Sequence, residues 1–487
     1  MTHAFTVYPA RMKRVSRRAS GLLCCIIAGT VVSFLSPAMA QEPAKPDATA
    51  QHSSSAAIQS DRLGPLSVPD ETKASFAQLP EKKRLHILVN LIRNKQHEAA
   101  TTLLAATPFK GKFGRNRNLF VQGLIEKARG NLEKAARIYR TALADDPNLS
   151  MVRMELAATL YALHEDDGAR HHLDLLKSAA PTPELARNFN DFIATIDARR
   201  PWSFNVYAAL APSTNFTNGT TEEIILIGGL PFVISGDSRK KSGIGMKGGA
   251  NAGYRLDITD DLAAIVGSGV NFTQYDGRTF DTTIVSQSVE LRRSHGRGSV
   301  GVGVTASQAW YGASEFLWSA GPQITVRHAL LRNLVLDTRL AHLWTFYKDA
   351  TYRDGTTTSL TNRLALTLSE SRVLYAMAGA DRLKTDLDHL SNIAGWAGLG
   401  IYQEAPLGVT VFAEGKARYS VSNGDYPLLG EKLQQTRVDG RLVLTKRDFS
   451  IFGLAPQLEY TYTRNFSNNT LSRYDAHGLA LTVTRAF

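Results

Sequence analysis

The spacing of apolar side chains changes character along the 487 residues. Gly21 to Leu35 is a short, mostly apolar run that Pro37 ends, and from 41 to about 80 large apolar residues are scarce. From 81 to 198 they recur at three- and four-residue intervals, as in Leu85, Leu88, Val89, Leu91 and Ile92, which predicts a helical domain. After Pro201 the period falls to two. Val300, Val302, Val304 and Ala306 then share one face, with Gly301, Gly303, Thr305 and Ser307 on the other; Leu458, Tyr460 and Tyr462 likewise oppose Glu459, Thr461 and Thr463. The same alternation begins near Trp202, Ser242, Asp261, Phe280, Gly298, Glu315, Asn333, Thr356, Arg372, Ser391, Val409, Gln435, Ile451 and Arg473. Each unit takes about 20 residues, enough for a tilted membrane-crossing strand of roughly ten residues and its turn. The pattern predicts a two-domain α + β chain: an α-solenoid, then a transmembrane antiparallel β-barrel of about 14 strands over 199–487. An even strand count returns both ends of a barrel to one side of the membrane.

The N-terminus accounts for the charge and the cysteines. Five basic residues and no acid precede the apolar run, and Ala38 and Ala40 are the small residues a signal peptidase reads, so 1–40 is expected to be a signal peptide cleaved after Ala40. Without those five, 51 bases face 44 acids and the formal charge falls from +12 to +7. Cys24 and Cys25 lie inside that segment, leaving no thiol for disulfides, nucleophilic catalysis or thiolate metal sites. Residues 41–80 are too polar to repay the entropy of ordering and are expected to form a disordered linker. A mean hydropathy of -0.17 without a second apolar run of spanning length excludes a helical membrane bundle but not a barrel. The basic surplus forms no Lys/Arg stripe on a predicted helix, so no nucleic-acid partner is expected.

Within 81–198 lies a period of 34. Leu119 to Asn148 resembles a tetratricopeptide repeat: Gly123 permits close helix approach, Gly130 turns the chain, Ala135 and Ala142 are small where helices cross, Tyr139 fills the gap, and Pro147 ends the second helix. Thirty-four residues on, Ala157, Ala169 and Pro181 fall under Gly123, Ala135 and Pro147. Leu119 and Glu126 depart from the usual large residues of that pattern. Such arrays bind peptides or proteins in a concave groove.

The chain ends LALTVTRAF, with Leu479, Leu481, Val483 and Phe487 on one face, which resembles the C-terminal signal by which outer-membrane barrels are inserted. That implies the barrel-assembly machinery as a partner and outer-membrane lipid as the surroundings. Aromatic residues near segment ends, such as Trp310 and Tyr311, Trp344, Phe346 and Tyr347, and Tyr460 and Tyr462, fit interfacial girdles. The lumen is expected to carry mixed charge from Glu290, Arg292, Arg293, Glu414, Lys416 and Arg418. His295, His328, His342, His389 and His477 stand singly, and Asp386, Asp388 and His389 fall on a predicted turn. No catalytic residue, metal site or cofactor is therefore expected, and the protein is not expected to be an enzyme. Ile224 to Ile234 is an apolar stretch between the first two strands, open to a role as plug or as client contact.

A repeat module followed by a barrel, with PWSFNVYAALAPSTN opening it and GGLPFVISGDSRKKSGIGM leading into its second strand, resembles the surface lipoprotein assembly modulator family of type XI secretion over about 85–487. The resemblance implies an outer-membrane translocon of a Gram-negative cell. Its clients would be lipoproteins or related soluble haem or metal carriers, and a periplasmic repeat domain would engage the client or a periplasmic chaperone. The alternatives are a polysaccharide-export porin with a repeat module and a small-solute channel.

Overall fold

A computed structural model describes residues 68–487 apart from 112, 228–229, 235, 277, 313, 428, 448–453 and 486–487. The expected signal with Ala38 and Ala40, most of the linker, and Phe487 lie outside the described residues. Among the described residues eight helices come first: α1 (Asp70–Gln78), α2 (Glu81–Arg93), α3 (His97–Ala106), α4 (Gly114–Ala128), α5 (Leu132–Asp145), α6 (Ser150–Ala162), α7 (Asp166–Ala179) and α8 (Pro183–Arg199). The helical region thus opens before the expected boundary at 81. Pro69 precedes α1, Asp70 and Glu71 suit its N-terminal dipole, and Phe76 is buried in the helical core, so one aromatic anchors an otherwise polar segment.

Helices α2 to α7 form three pairs, and their turns repeat. The left-handed residues Lys95, Gly130 and His164 occupy equivalent places, each followed by the same backbone bond: Gln96 N to Leu91 O, Asn131 N to Glu126 O and Glu165 N to Leu160 O, all 2.9 Å. Between the helices of the second pair, Gly123 lies beneath the Tyr139 ring, where a Cβ would meet ring carbon at 2.3 Å. In the third pair Ala157 and Leu173 are both buried, a larger residue replacing Gly and a smaller one replacing Tyr. Ala135, Ala142 and Ala169 are fully buried. Glu126 is buried as well, held by Asn131 Nδ2 at 2.8 Å and Lys134 Nζ at 3.0 Å; these bonds lower its pKa.

Sixteen strands follow: β1 (Trp202–Ser213), β2 (Ile224–Ile227), β3 (Leu230–Val233), β4 (Gly243–Asp257), β5 (Leu262–Gln274), β6 (Thr282–His295), β7 (Gly298–Tyr311), β8 (Ser314–Leu331), β9 (Leu334–Tyr347), β10 (Gly355–Ser369), β11 (Arg372–Thr385), β12 (Asn392–Ala405), β13 (Val409–Tyr426), β14 (Glu431–Lys446), β15 (Leu454–Ser467) and β16 (Tyr474–Arg485). Fourteen close into an antiparallel barrel, each hydrogen-bonded to its sequence neighbours, with β1 joining β4 to β16. β2 and β3 form a separate hairpin in the long loop after β1, so Ile224 to Ile234 contributes no wall strand. Ile224 and Val233 are exposed on that hairpin and Ile234 is buried.

Turns are short at the end where β1 starts, as at 296–297, 332–333 and 370–371, and longer at the other end, as at 214–242, 348–354 and 468–473. This asymmetry is that of outer-membrane barrels. The apolar face of the alternation is exposed on the outer wall, where Val302 is 58% and Leu481 58% accessible. In lipid that face buries itself without a protein partner, and the closed ladder satisfies the backbone.

Candidate functional site

Cross-strand register assigns the lumen lining. Trp396, Arg418, Arg437 and Asn465 stand in one row, Gly398, Lys416, Asp439 and Thr463 in the next, and Gly400, Glu414, Arg441 and Thr461 in a third. Arg418 pairs with Asp381, Arg437 with Asp439 at 2.8 Å, and Arg441 with Glu459 at 2.6 Å. On the opposite wall Arg292 pairs with Glu290 at 2.6 Å. Arg293 departs from the expected lumen set: adjacent strand residues point to opposite faces, and it bonds Asp261 in a turn at the short-turn end. Cations also lie over rings, Arg363 over Tyr375 at 4.3 Å and Lys416 over Trp396 at 5.6 Å. The lumen wall is polar and carries charges of both signs, with basic and acidic side chains standing in the same or adjoining rows.

At the long-loop mouth, aromatic rings follow one another along the rim. Phe216 stacks on Tyr275 at 4.3 Å, and Phe280, Tyr311, Phe316 and Tyr347 continue the chain at centroid spacings of 5.4 to 6.4 Å. Tyr347 therefore does not share the outer girdle with Phe346; alternation sends Phe346 outward to stack on Trp318 at 4.6 Å. Asn215 ties the long loop after β1 to the closing strand through its bond to Asp475 O, 2.9 Å, and Lys240 bonds the Asp475 carboxylate at 3.1 Å. Asp386, Asp388 and His389 lie in the β11–β12 loop, where the His389 ring rests 6.2 Å from Tyr426. No group of three or more potential metal ligands occurs among the described residues.

The short-turn rim carries the most concentrated chemistry. Here the helical module docks on the barrel through Arg153 of α6, which is fully buried. Its Nη2 donates to Glu404 Oε2 at 2.8 Å and to Pro147 O at 2.6 Å, and its Nη1 lies 3.3 Å from Glu404 Oε1 and 3.0 Å from His172 Nδ1. Glu404, near the end of β12, is equally buried; it also accepts from Arg447 and from Tyr402 Oη, the latter at 3.0 Å. Tyr402 Oη meets His171 Nε2 at 3.2 Å. Around this centre Ser150 bonds Glu370, Ser371 donates to Asn148 at 2.8 Å, and Arg332 donates to Pro181 O at 3.0 Å. The Pro181 carbonyl thus joins module to barrel directly, while the Pro147 carbonyl holds Arg153 from within the module.

Two charges buried together cost desolvation that only good geometry offsets. Glu404 meets that demand with two guanidinium groups and a phenol. The surroundings are less complete: Arg153 Nε, Arg447 Nε, Glu370 Oε2 and His172 Nε2 make no hydrogen bond. Burial, reinforced by Arg153, holds His172 well below the usual imidazole pKa and therefore neutral, while burial raises the Glu370 carboxyl. Such a network fixes one docked geometry more than it maximises adhesion. Beside it a recess of about 580 Å³ opens between helices and barrel, lined by Asn148, Pro181, Arg332, Asn333, Thr367 and Glu370.

None of Arg153, His171, His172, Glu370, Glu404 and Arg447 stands out from sequence spacing. The available signals are an arginine on the apolar stripe of α6 beside Val152 and Leu156, and the His171-His172 pair on α7.

Fold and site together define a transmembrane barrel of outer-membrane type carrying a helical repeat module on its short-turn rim. Residues 202–487 match the family model described as surface lipoprotein assembly modifier, and the chain belongs to that family. The surface lipoprotein assembly modifier of Pasteurella multocida is 22% identical over 76% of this chain and 76% of its own length. Surface lipoprotein assembly modifier 1 of Neisseria meningitidis serogroup B is 20% identical over 76% of this chain and 75% of its own. Among solved structures, Pseudomonas putida OprB aligns with 62% of this chain and 97% of its own at 8% identity and a TM-score of 0.35.

Proposed function

We propose that this protein is the outer-membrane translocon for lipoprotein clients, with soluble haem or metal carriers as related cargo, and that its helical module works in the periplasm by receiving the client or its chaperone. The observation that carries the reading is the docking itself. A repeat module is fixed by a buried ion network to the short-turn rim of a polar lumen whose wall carries charges of both signs, so whatever the module holds is kept beside the pore. The charge pairs of the lumen wall suit a polypeptide of both signs better than a uniformly charged polysaccharide, and a small-solute channel would leave the module without work. No covalent step enters, and insertion would fall to the barrel-assembly machinery reading the strand that carries Leu479, Leu481 and Val483 and the terminal Phe487.

The test is co-expression with a candidate lipoprotein, followed by protease accessibility on intact cells. Surface exposure should depend on this chain and fall when Arg153→Ala or Glu404→Ala releases the module. Unchanged exposure on deleting the chain would remove the export reading.

A further inference from the structure

The recess between helices and barrel is built by groups from both. On the module side it is bounded by the end of α7 and the turn after it, Ser178 to Pro181. Pro181 and Pro183 stand four residues beyond Lys177 and Ala179 and have no N–H to give, so the usual helical bond is missing at both carbonyls. Lys177 O takes the N–H of Ala180 instead, at 3.3 Å, while the carbonyls of Ser178 and Ala179 accept no backbone bond among the described residues. A helix of 14 residues thus ends at the recess with its negative pole and unused acceptors.

On the barrel side stand Arg332 and Asn333, in the β8–β9 turn, and Thr367 to Glu370, around the end of β10. Asn333 ties the turn to β10: its Nδ2 donates to Thr367 O at 3.1 Å, and its carbonyl accepts from Thr367 N at 2.8 Å. Arg332 is thereby held where one N–H reaches Pro181 O, and it forms no ion pair among the described residues. The apolar outer wall runs up to this point. A register shift beside Leu330 accompanies exposure of both Leu330 and Leu331, and Leu368, 51% accessible, lines the recess itself. A guanidinium, a helix end with free carbonyls, the Glu370 carboxylate and exposed leucines therefore meet at a cavity of about 580 Å³, a size within the range of about 300–1,000 Å³ that small-ligand sites take.

We infer that this recess seats the head group of a zwitterionic phospholipid with a primary ammonium. Its phosphate lies on Arg332, its ammonium on the Ser178 and Ala179 carbonyls, and its acyl chains run along the wall beside Leu331 and Leu368. Guanidinium pairs with phosphate bidentately, and Arg332 spends only one N–H on Pro181. Rival head groups each fail at one part of the site. An anionic lipid meets Glu370 and the negative helix end, a choline head has no N–H for the carbonyls, and the acylated terminus of a lipoprotein brings no phosphate to Arg332. The bound lipid fills the gap where the docked module meets the membrane. The site needs only the barrel's place in lipid, whatever the pore exports.

The full chain, purified in detergent and stripped of lipid, is offered phosphatidylethanolamine, phosphatidylcholine and phosphatidylglycerol in turn, and the lipid it retains is read by native mass spectrometry. Phosphatidylethanolamine should be held about tenfold more tightly than either of the others, the worth of one hydrogen bond to a charged group. Arg332→Gln keeps a donor for Pro181 O but brings no charge to the phosphate. It should erase that preference while helical circular dichroism and the heat-modifiability of the barrel stay those of the parent. Equal retention of the three lipids overturns the site, as does a preference for phosphatidylglycerol or phosphatidylcholine, or a preference for phosphatidylethanolamine that survives Arg332→Gln. Should Arg332→Gln fail to insert, a photoreactive phosphatidylethanolamine decides on the parent chain: adducts within 178–181, 330–333 or 367–370 support the site, and adducts only elsewhere, or none, overturn it.

Discussion

At the residue scale, local geometry sets both the repeat and its weak points. His164 and Lys95 occupy left-handed turns that the equivalent Gly130 fills without strain. His164→Gly is expected to raise the melting temperature of the helical module, recovering about 1 kcal/mol of side-chain strain, as followed by helical circular dichroism of the purified protein. The Tyr139 hydroxyl is buried without a hydrogen-bond partner, so Tyr139→Phe should leave stability unchanged or improved. Glu404→Ala leaves two guanidinium groups without their shared carboxylate, and breaking a buried pair in this way costs about 3–5 kcal/mol; limited proteolysis should then cut the barrel–module junction much faster. His172 sets a pH dependence. Its folded pKa is depressed by burial, Arg153 and His171, with Arg140 adding and Glu404 opposing. The docked state is unaffected above the ordinary value of 6.5 and loses stability as pH falls below it, because the undocked imidazole takes up the proton more readily. Proteolytic release should increase from pH 7 to pH 5.5, and His172→Gln should flatten that change.

At the element scale, what the sequence reveals depends on how local the governing interaction is. Side-chain alternation is local, so strand starts expected near Trp202, Gly298, Arg372 and Val409 fall at those residues. The start expected near Gln435 is instead Glu431, because β13 and β14 stay paired past a register shift to Tyr426 opposite Glu431. Helix α1 escapes a pattern search because Phe76 alone supplies its anchor, and that anchor needs a distant partner: Arg84 lies 6.0 Å from the Phe76 ring and 4.9 Å from Phe109. Phe76→Ala should cost about 3–5 kcal/mol and speed hydrogen exchange in α1 and α2 ahead of α4 to α7. The docking network is the least legible part. Arg153 and Glu404 are 251 positions apart, and neither neighbourhood contains a spacing that implies the other.

At the scale of the whole molecule, the module and the barrel are separable in principle, since each has its own folding logic: a packed apolar core in one, a lipid-facing wall in the other. Removing 41–198 should leave an inserted, heat-modifiable barrel that exports poorly, and normal export by that truncation would count against any delivery role for the repeats. Their connection has a consequence in time. The chain is made from its N-terminus, so Arg153 exists long before Glu404 of β12 and Arg447, which follows β14, and contacts of such sequence separation form late. Until the far side of the barrel is laid down, Arg153 has no carboxylate to bind and the module has no seat. Docking thus follows the laying down of β12 and of the residues after β14, and a chain halted before them would leave the module without its seat on the rim.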